Sequence, residues 1–132
     1  MWLFTTFGFF SVVAHASKPD HLLVRARSLD DIARLRTRVT ETWPTHPESK
    51  PDIFETIDAD YPYRMTVLRT LFADAVADEL RSMTATNFKH AVAEQDPARA
   101  RLYTRVWWEM KAGMNPEQLD LFGEADENVA EA

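Results

Sequence analysis

The chain has 132 residues, 45% hydrophobic and 27% charged, enough for one folded domain with a core and too apolar for a disordered protein. With no cysteine, disulfide frameworks and thiolate metal sites are excluded, and seven prolines against three glycines argue against a turn-dense barrel. The formal net charge of −6 is concentrated at one end: six acids (Glu117, Asp120, Glu124, Asp126, Glu127 and Glu131) and no Lys or Arg follow Asn115, while the other 15 acids balance the 15 Lys and Arg. The body, residues 1–114, is therefore formally neutral and predicted to be a single globular domain. Residues 115–132 are predicted to be a flexible, solvated acidic tail.

Residues 1–16 (MWLFTTFGFFSVVAHA) have the small-residue ending of a secretory signal but no basic start. Thr5, Thr6, Gly8, Ser11 and His15 also interrupt the segment too often for a membrane span. The segment is expected to stay on the mature chain as one buried strand, Leu3 to Ala14, with Gly8 at a bulge or a close approach. Lys18-Pro19-Asp20 is a turn, and His21 to Arg27 is a second strand with an apolar face and a mainly basic one. Ser28-Leu29-Asp30-Asp31 resembles a capping box before a helix carrying Ile32, Leu35 and Val39 at helical spacing.

Pro44, Pro47 and Pro51 turn the following segment into a loop. A second hairpin follows, Ile53 to Ile57 and Tyr61 to Leu68, with Tyr61, Tyr63, Met65 and Val67 on one face. The next helix, capped by Thr70 and reaching about Met83, would bury Leu71, Phe72, Ala75, Val76, Leu80 and Met83. Asn87 starts a short helix, and Asp96-Pro97 starts a last one that runs to about Ala112 and stops at Gly113. Its apolar residues Leu102, Val106 and Met110, with Tyr103, Trp107 and Met114 beside them, predict burial around much of its circumference. The element order implies an α+β fold, an antiparallel four-stranded sheet with helices mainly on one face.

Past the last helix lies Gln118-Leu119-Asp120-Leu121-Phe122, two leucines and a phenylalanine where there is no core to bury them. The five residues resemble the linear motif Gln-Leu-Ser/Asp-Leu-Phe by which bacterial proteins dock on the DNA polymerase sliding clamp, the beta subunit. At ordinary residue frequencies a full match in a chain of this length arises by chance about once in 10³–10⁴. The resemblance implies that Leu121 and Phe122 insert into a hydrophobic cleft, with Gln118 hydrogen-bonding at its rim and Leu119 and Asp120 setting the extended backbone. The segments Trp2 to Val13, Asp60-Tyr-Pro-Tyr-Arg64 and Asn87-Phe-Lys89 resemble a group of small, uncharacterised bacterial proteins, which implies no activity.

The remaining clusters are weaker. His15, His21, His46 and His90 show no ligand spacing, so neither a metal nor any cofactor is expected. Asp52, Glu55, Asp58 and Asp60 around the second hairpin could hold Mg²⁺ in a small nuclease, but read more simply as a solvated turn. Phe7-Gly8-Phe9-Phe10-Ser11-Val12-Val13 distantly resembles an RNA-binding strand, although its aromatics read as core. The late helices offer a basic-aromatic candidate for nucleic acid in Lys89, Arg99, Arg101, Arg105 and Trp108. The sequence thus predicts a non-enzymatic, cytoplasmic protein that binds the clamp and regulates or inhibits replication, as a toxin would, or recruits repair. An antitoxin or adaptor is then a further partner class. The alternatives are a nucleic-acid-binding module and a metal-dependent nuclease.

Overall fold

The structure, a computed structural model, describes residues 1–115 and Glu117. The motif, Gln118 to Phe122, and the rest of the predicted tail apart from Asn115 and Glu117 lie outside the described residues. The chain divides into two compact units, Met1–Met83 and a second that begins at Thr84.

The first unit contains β1 (Trp2–Thr5), β2 (Gly8–Ala14), β3 (His21–Ala26), α1 (Leu29–Thr42), β4 (Ile53–Glu55), β5 (Tyr63–Leu68) and α2 (Arg69–Arg81). The strands form a five-stranded sheet in the order β1-β2-β3-β5-β4, and every neighbouring pair is antiparallel. The α+β class agrees with the sequence, but the sheet has five strands instead of four. The predicted N-terminal strand is in fact a hairpin, β1 paired with β2 in the register Trp2↔Ser11 and Phe4↔Phe9. Thr5 makes the turn: its hydroxyl accepts the Phe7 N–H at 3.2 Å and donates to the Gly8 carbonyl at 2.8 Å, a local alternative to continuing the strand. Gly8 is a close approach and not a bulge, because a Cβ there would sit 2.5 Å from the Phe10 ring and 3.0 Å from Asp31.

One sheet face carries Phe10, Val12, Val24, Ala26, Met65 and Val67, packed with Ile32, Leu35 and Val39 of α1 and Leu71, Phe72 and Ala75 of α2. Each of the larger side chains here, the Val, Leu, Ile, Phe and Met residues, stabilises the fold by about 1.5–3 kcal/mol through the apolar surface it removes from water. Ser28 caps α1 by accepting the Asp31 N–H, the first half of the predicted capping box. The Asp31 carboxylate accepts the Phe9 N–H at 3.0 Å and pairs with Arg34 at 2.8 Å. In α2 the predicted Thr70 cap is replaced by Leu68, which makes no side-chain cap bond. The stripe of α2 also ends early: Leu80 and Met83 are exposed, since the helix stops at Arg81 beyond the edge of the core. Tyr61 leaves the face of Tyr63, Met65 and Val67 as well. It precedes Pro62, outside β5, and packs with Phe9 of the opposite sheet face at 6.3 Å between ring centroids.

The first residue of β3 is pinned by charge. Both ring nitrogens of His21 face acceptors, Nδ1 the Pro19 carbonyl at 2.7 Å and Nε2 the Glu48 carboxylate at 2.7 Å. Only the imidazolium donates from both nitrogens at once. The carbonyl of Pro19 and then Glu48 raise the His21 pKa above its ordinary 6.5, and the bond from His21 lowers that of Glu48. A raised histidine pKa adds stability that is complete below 6.5 and is lost as pH rises through the folded-state value; a lowered glutamate pKa adds stability lost in acid. The melting temperature is therefore expected to fall from pH 6.5 into the alkaline range in the wild type, and less so in Glu48→Gln. Parallel melting curves for the two proteins over that range would show that the pair does not act this way.

The second unit holds α3 (Phe88–Gln95) and α4 (Pro97–Met114). Asn87 caps α3 by accepting the His90 N–H, and Asp96 caps α4 by accepting the Arg99 N–H with Pro97 at the start of the helix, as the sequence predicts. The last helix passes Gly113 and ends at Met114. Its circumference is not buried as predicted. Ala100 and Tyr103 are buried, whereas Leu102, Val106, Met110 and Met114 are exposed. A wide apolar stripe does not by itself tell which sector has a partner.

Candidate interaction surfaces

The path to the motif can be followed up to Asn115, whose N–H bonds the Lys111 carbonyl at 2.8 Å and whose backbone (φ −132°, ψ 56°) is no longer helical. Gln118 comes three residues later in the sequence.

The structure divides the basic-aromatic set of the last helices. Arg99 is turned inward: its Nε lies 3.4 Å from Asp96 and its guanidinium stands 5.8 Å from the centre of the Tyr103 ring. Tyr103 in turn stacks on Phe88 at 5.9 Å. The N–H of Arg99 is the main cause that holds the Asp96 carboxyl below the ordinary carboxylate range. Lys89 and Trp108 belong to a second cluster. The Lys89 ammonium sits 4.1 Å over Trp107, buried and without a hydrogen-bond partner. Burial first, then Lys111, lowers its pKa. Lys111 lies 5.0 Å from Trp107 and 5.1 Å from Trp108, and the two indoles meet edge to face at 4.7 Å. Arg101 and Arg105 are exposed on α4. Within this set Arg99 is paired with Asp96 and Lys89 is capped by an indole, while Arg101, Arg105 and Trp108 follow at i, i+4 and i+7 along α4.

Asp52, Glu55, Asp58 and Asp60 are all exposed; Asp60 pairs with Arg27 at 3.4 Å, and Asp58 turns the chain at φ 63°. Among the described residues no group of three or more His, Asp or Glu is placed to hold a metal ion. His15 accepts the N–H groups of Ser17 and Lys18, His46 accepts that of Glu48, and His90 pairs with Glu94 on the α3 surface. No described helix is long and apolar enough to cross a membrane.

The surface that sequence reasoning missed is the outer face of the sheet, the one turned away from α1 and α2. The registers place Trp2, Ser11, Arg25, Arg64 and Phe54 side by side in one row across the five strands. Next to this row Phe9 packs on Phe4 at 4.7 Å and on Trp2 at 6.2 Å. Arg25 and Arg27 cover the buried ring of Tyr61 at 5.2 and 4.7 Å. Arg25 donates to the Ser11 hydroxyl and Arg64 to the Tyr61 carbonyl; no carboxylate pairs with either among the described residues. The signal was present in the alternation of Leu23, Arg25 and Arg27. Without the Thr5 turn, however, Phe9 could not be assigned to the same side.

No family model matches the chain, and neither does any curated protein or solved structure.

Proposed function

We propose that the chain is a bacterial sliding-clamp-binding protein that docks through Gln118, Leu119, Asp120, Leu121 and Phe122 and so regulates or inhibits DNA replication. The observation that carries this reading is the complete five-residue match, placed just after the last helix in a stretch with no basic residue. Leu121 and Phe122 fill the clamp's cleft, and the fold behind them is cargo or a steric block. Because polymerases and repair proteins use the same cleft, an occupant displaces them by mass action, the behaviour of a replication-blocking toxin or a checkpoint factor. Recruitment of a repair activity would use the same contact. Such a partner places the protein in the bacterial cytoplasm, and no catalytic group takes part. The test is titration of purified clamp with the full-length chain, followed by anisotropy or calorimetry, and by displacement with a peptide of the motif. Saturable binding that the peptide competes away is the expected result; no binding at protein concentrations well above the micromolar range would refute the proposal.

A further inference from the structure

The row on the outer sheet face needs an explanation that packing does not provide. Arg25 and Arg64 are direct cross-strand partners, and like charges in that relation destabilise a sheet. Nothing in the first unit neutralises them, and the Nε of Arg25 is buried without a hydrogen-bond partner. Arg27, beside them, lies over the Tyr61 and Phe9 rings, and its ion pair with Asp60 is an exposed 3.4 Å contact. Aromatic side chains flank the arginines at both ends of the row: Trp2, 66% exposed, and Phe54, 44% exposed. An unpaired cationic centre between open rings calls for a ligand with regularly spaced anions and flat apolar groups.

We propose that this face binds single-stranded nucleic acid, with phosphates on Arg25, Arg64 and Arg27 and bases against Trp2, Phe9 and Phe54. The row crosses four strand spacings, about 19 Å, which accommodates several nucleotides. Phosphate contacts by arginine supply affinity, and stacking on exposed rings supplies tolerance of sequence. A duplex keeps its bases inside and leaves Trp2 and Phe54 nothing to stack on. An acidic peptide would satisfy the arginines but not the rings. The surface lies wholly in the first unit, so it acts independently of the tail motif.

The test uses the full-length protein and three dye-labelled probes about a dozen nucleotides long: oligothymidylate, oligouridylate and a mixed-sequence duplex. One or both single strands are expected to bind at least about tenfold more tightly than the duplex and to weaken steeply between roughly 50 and 200 mM salt. Preference between the two single strands then assigns the face to DNA or RNA. Arg25→Gln with Arg64→Gln should weaken binding by about tenfold or more and flatten the salt dependence. Trp2→Ala, at an exposed position that leaves folding intact, should weaken binding by roughly tenfold without changing the salt slope. Leu121→Ala with Phe122→Ala should leave oligonucleotide binding unchanged, so failure here and failure of clamp docking are separate results. Equal affinity for duplex and single strands, full affinity in Trp2→Ala, or displacement by poly-glutamate as effective as by unlabelled oligonucleotide would each overturn the proposal.

Discussion

Leu121→Ala combined with Phe122→Ala is expected to abolish detectable clamp binding. Wild-type affinity should be near micromolar, about −8 kcal/mol, because a short peptide has to be ordered as it binds. Two adjacent anchors that fill one cleft carry most of such an energy, and losing both should cost about 2–4 kcal/mol or more. Gln118→Ala should cost about 1–2 kcal/mol through lost hydrogen bonds, and Asp120→Ser should change little because the motif it resembles accepts either residue. Calorimetry with purified clamp separates these outcomes. If the wild type and the double-alanine form bind equally well, the match is accidental.

Asp31→Ala is expected to be the most damaging single polar substitution in the first unit. Its carboxylate is buried at 4% exposure, takes the Phe9 N–H, and holds Arg34, whose Nε reaches back 2.9 Å to the Phe7 carbonyl. One side chain thus ties the first turn of α1 to the β1–β2 turn. Alanine would leave the Phe9 N–H without its acceptor and loosen Arg34, a loss of about 3 kcal/mol. Asp31→Asn, which keeps one acceptor oxygen, should lose about half as much. Urea unfolding followed by circular dichroism measures both. A loss below about 1 kcal/mol for alanine would show that water replaces the carboxylate at little cost.

The strands and helices that carry a strong local signal were legible in the sequence. Ser28, Asn87 and Asp96 each mark a helix start, and each accepts the backbone N–H that its position predicts. The errors arose where a tertiary partner decides. The apolar run from Leu3 to Ala14 masks a local turn: the hydroxyl of Thr5, bonded to Phe7 and Gly8, and the tight space beside Gly8 fold it into two strands. That error placed Phe9 with Phe7 and Phe10 in the core, although Phe9 packs on the outer face with Phe4. Likewise the helical spacing of Leu102, Val106 and Met110 predicts burial, yet all three are exposed, because helical spacing does not say which sector is covered. Of the candidate site residues, the proposed docking motif is five consecutive letters and is readable only in the sequence. The arginine row is not readable there, because it joins residues from five strands whose register is set only on folding.

The strand order also governs how the sheet is assembled. β1, β2 and β3 follow one another through short turns, and so do β4 and β5. The seam between β3 and β5 is different, since it joins His21 to Leu68 and Ala26 to Tyr63 across the whole of α1 and the proline loop. Closing that long loop costs chain entropy before its contacts repay any of it, so the seam is the natural rate-limiting event. Val24→Ala and Met65→Ala should then slow refolding in stopped-flow measurements, whereas Leu3→Ala should mainly speed unfolding; the reverse pattern would place the nucleus in the N-terminal hairpin. Arg25 and Arg64 face each other across this seam, so their repulsion opposes the slowest step of folding. A polyanion that bridges them would act on the rate of folding as well as on the finished surface, joining two half-sheets that neither hairpin can join alone.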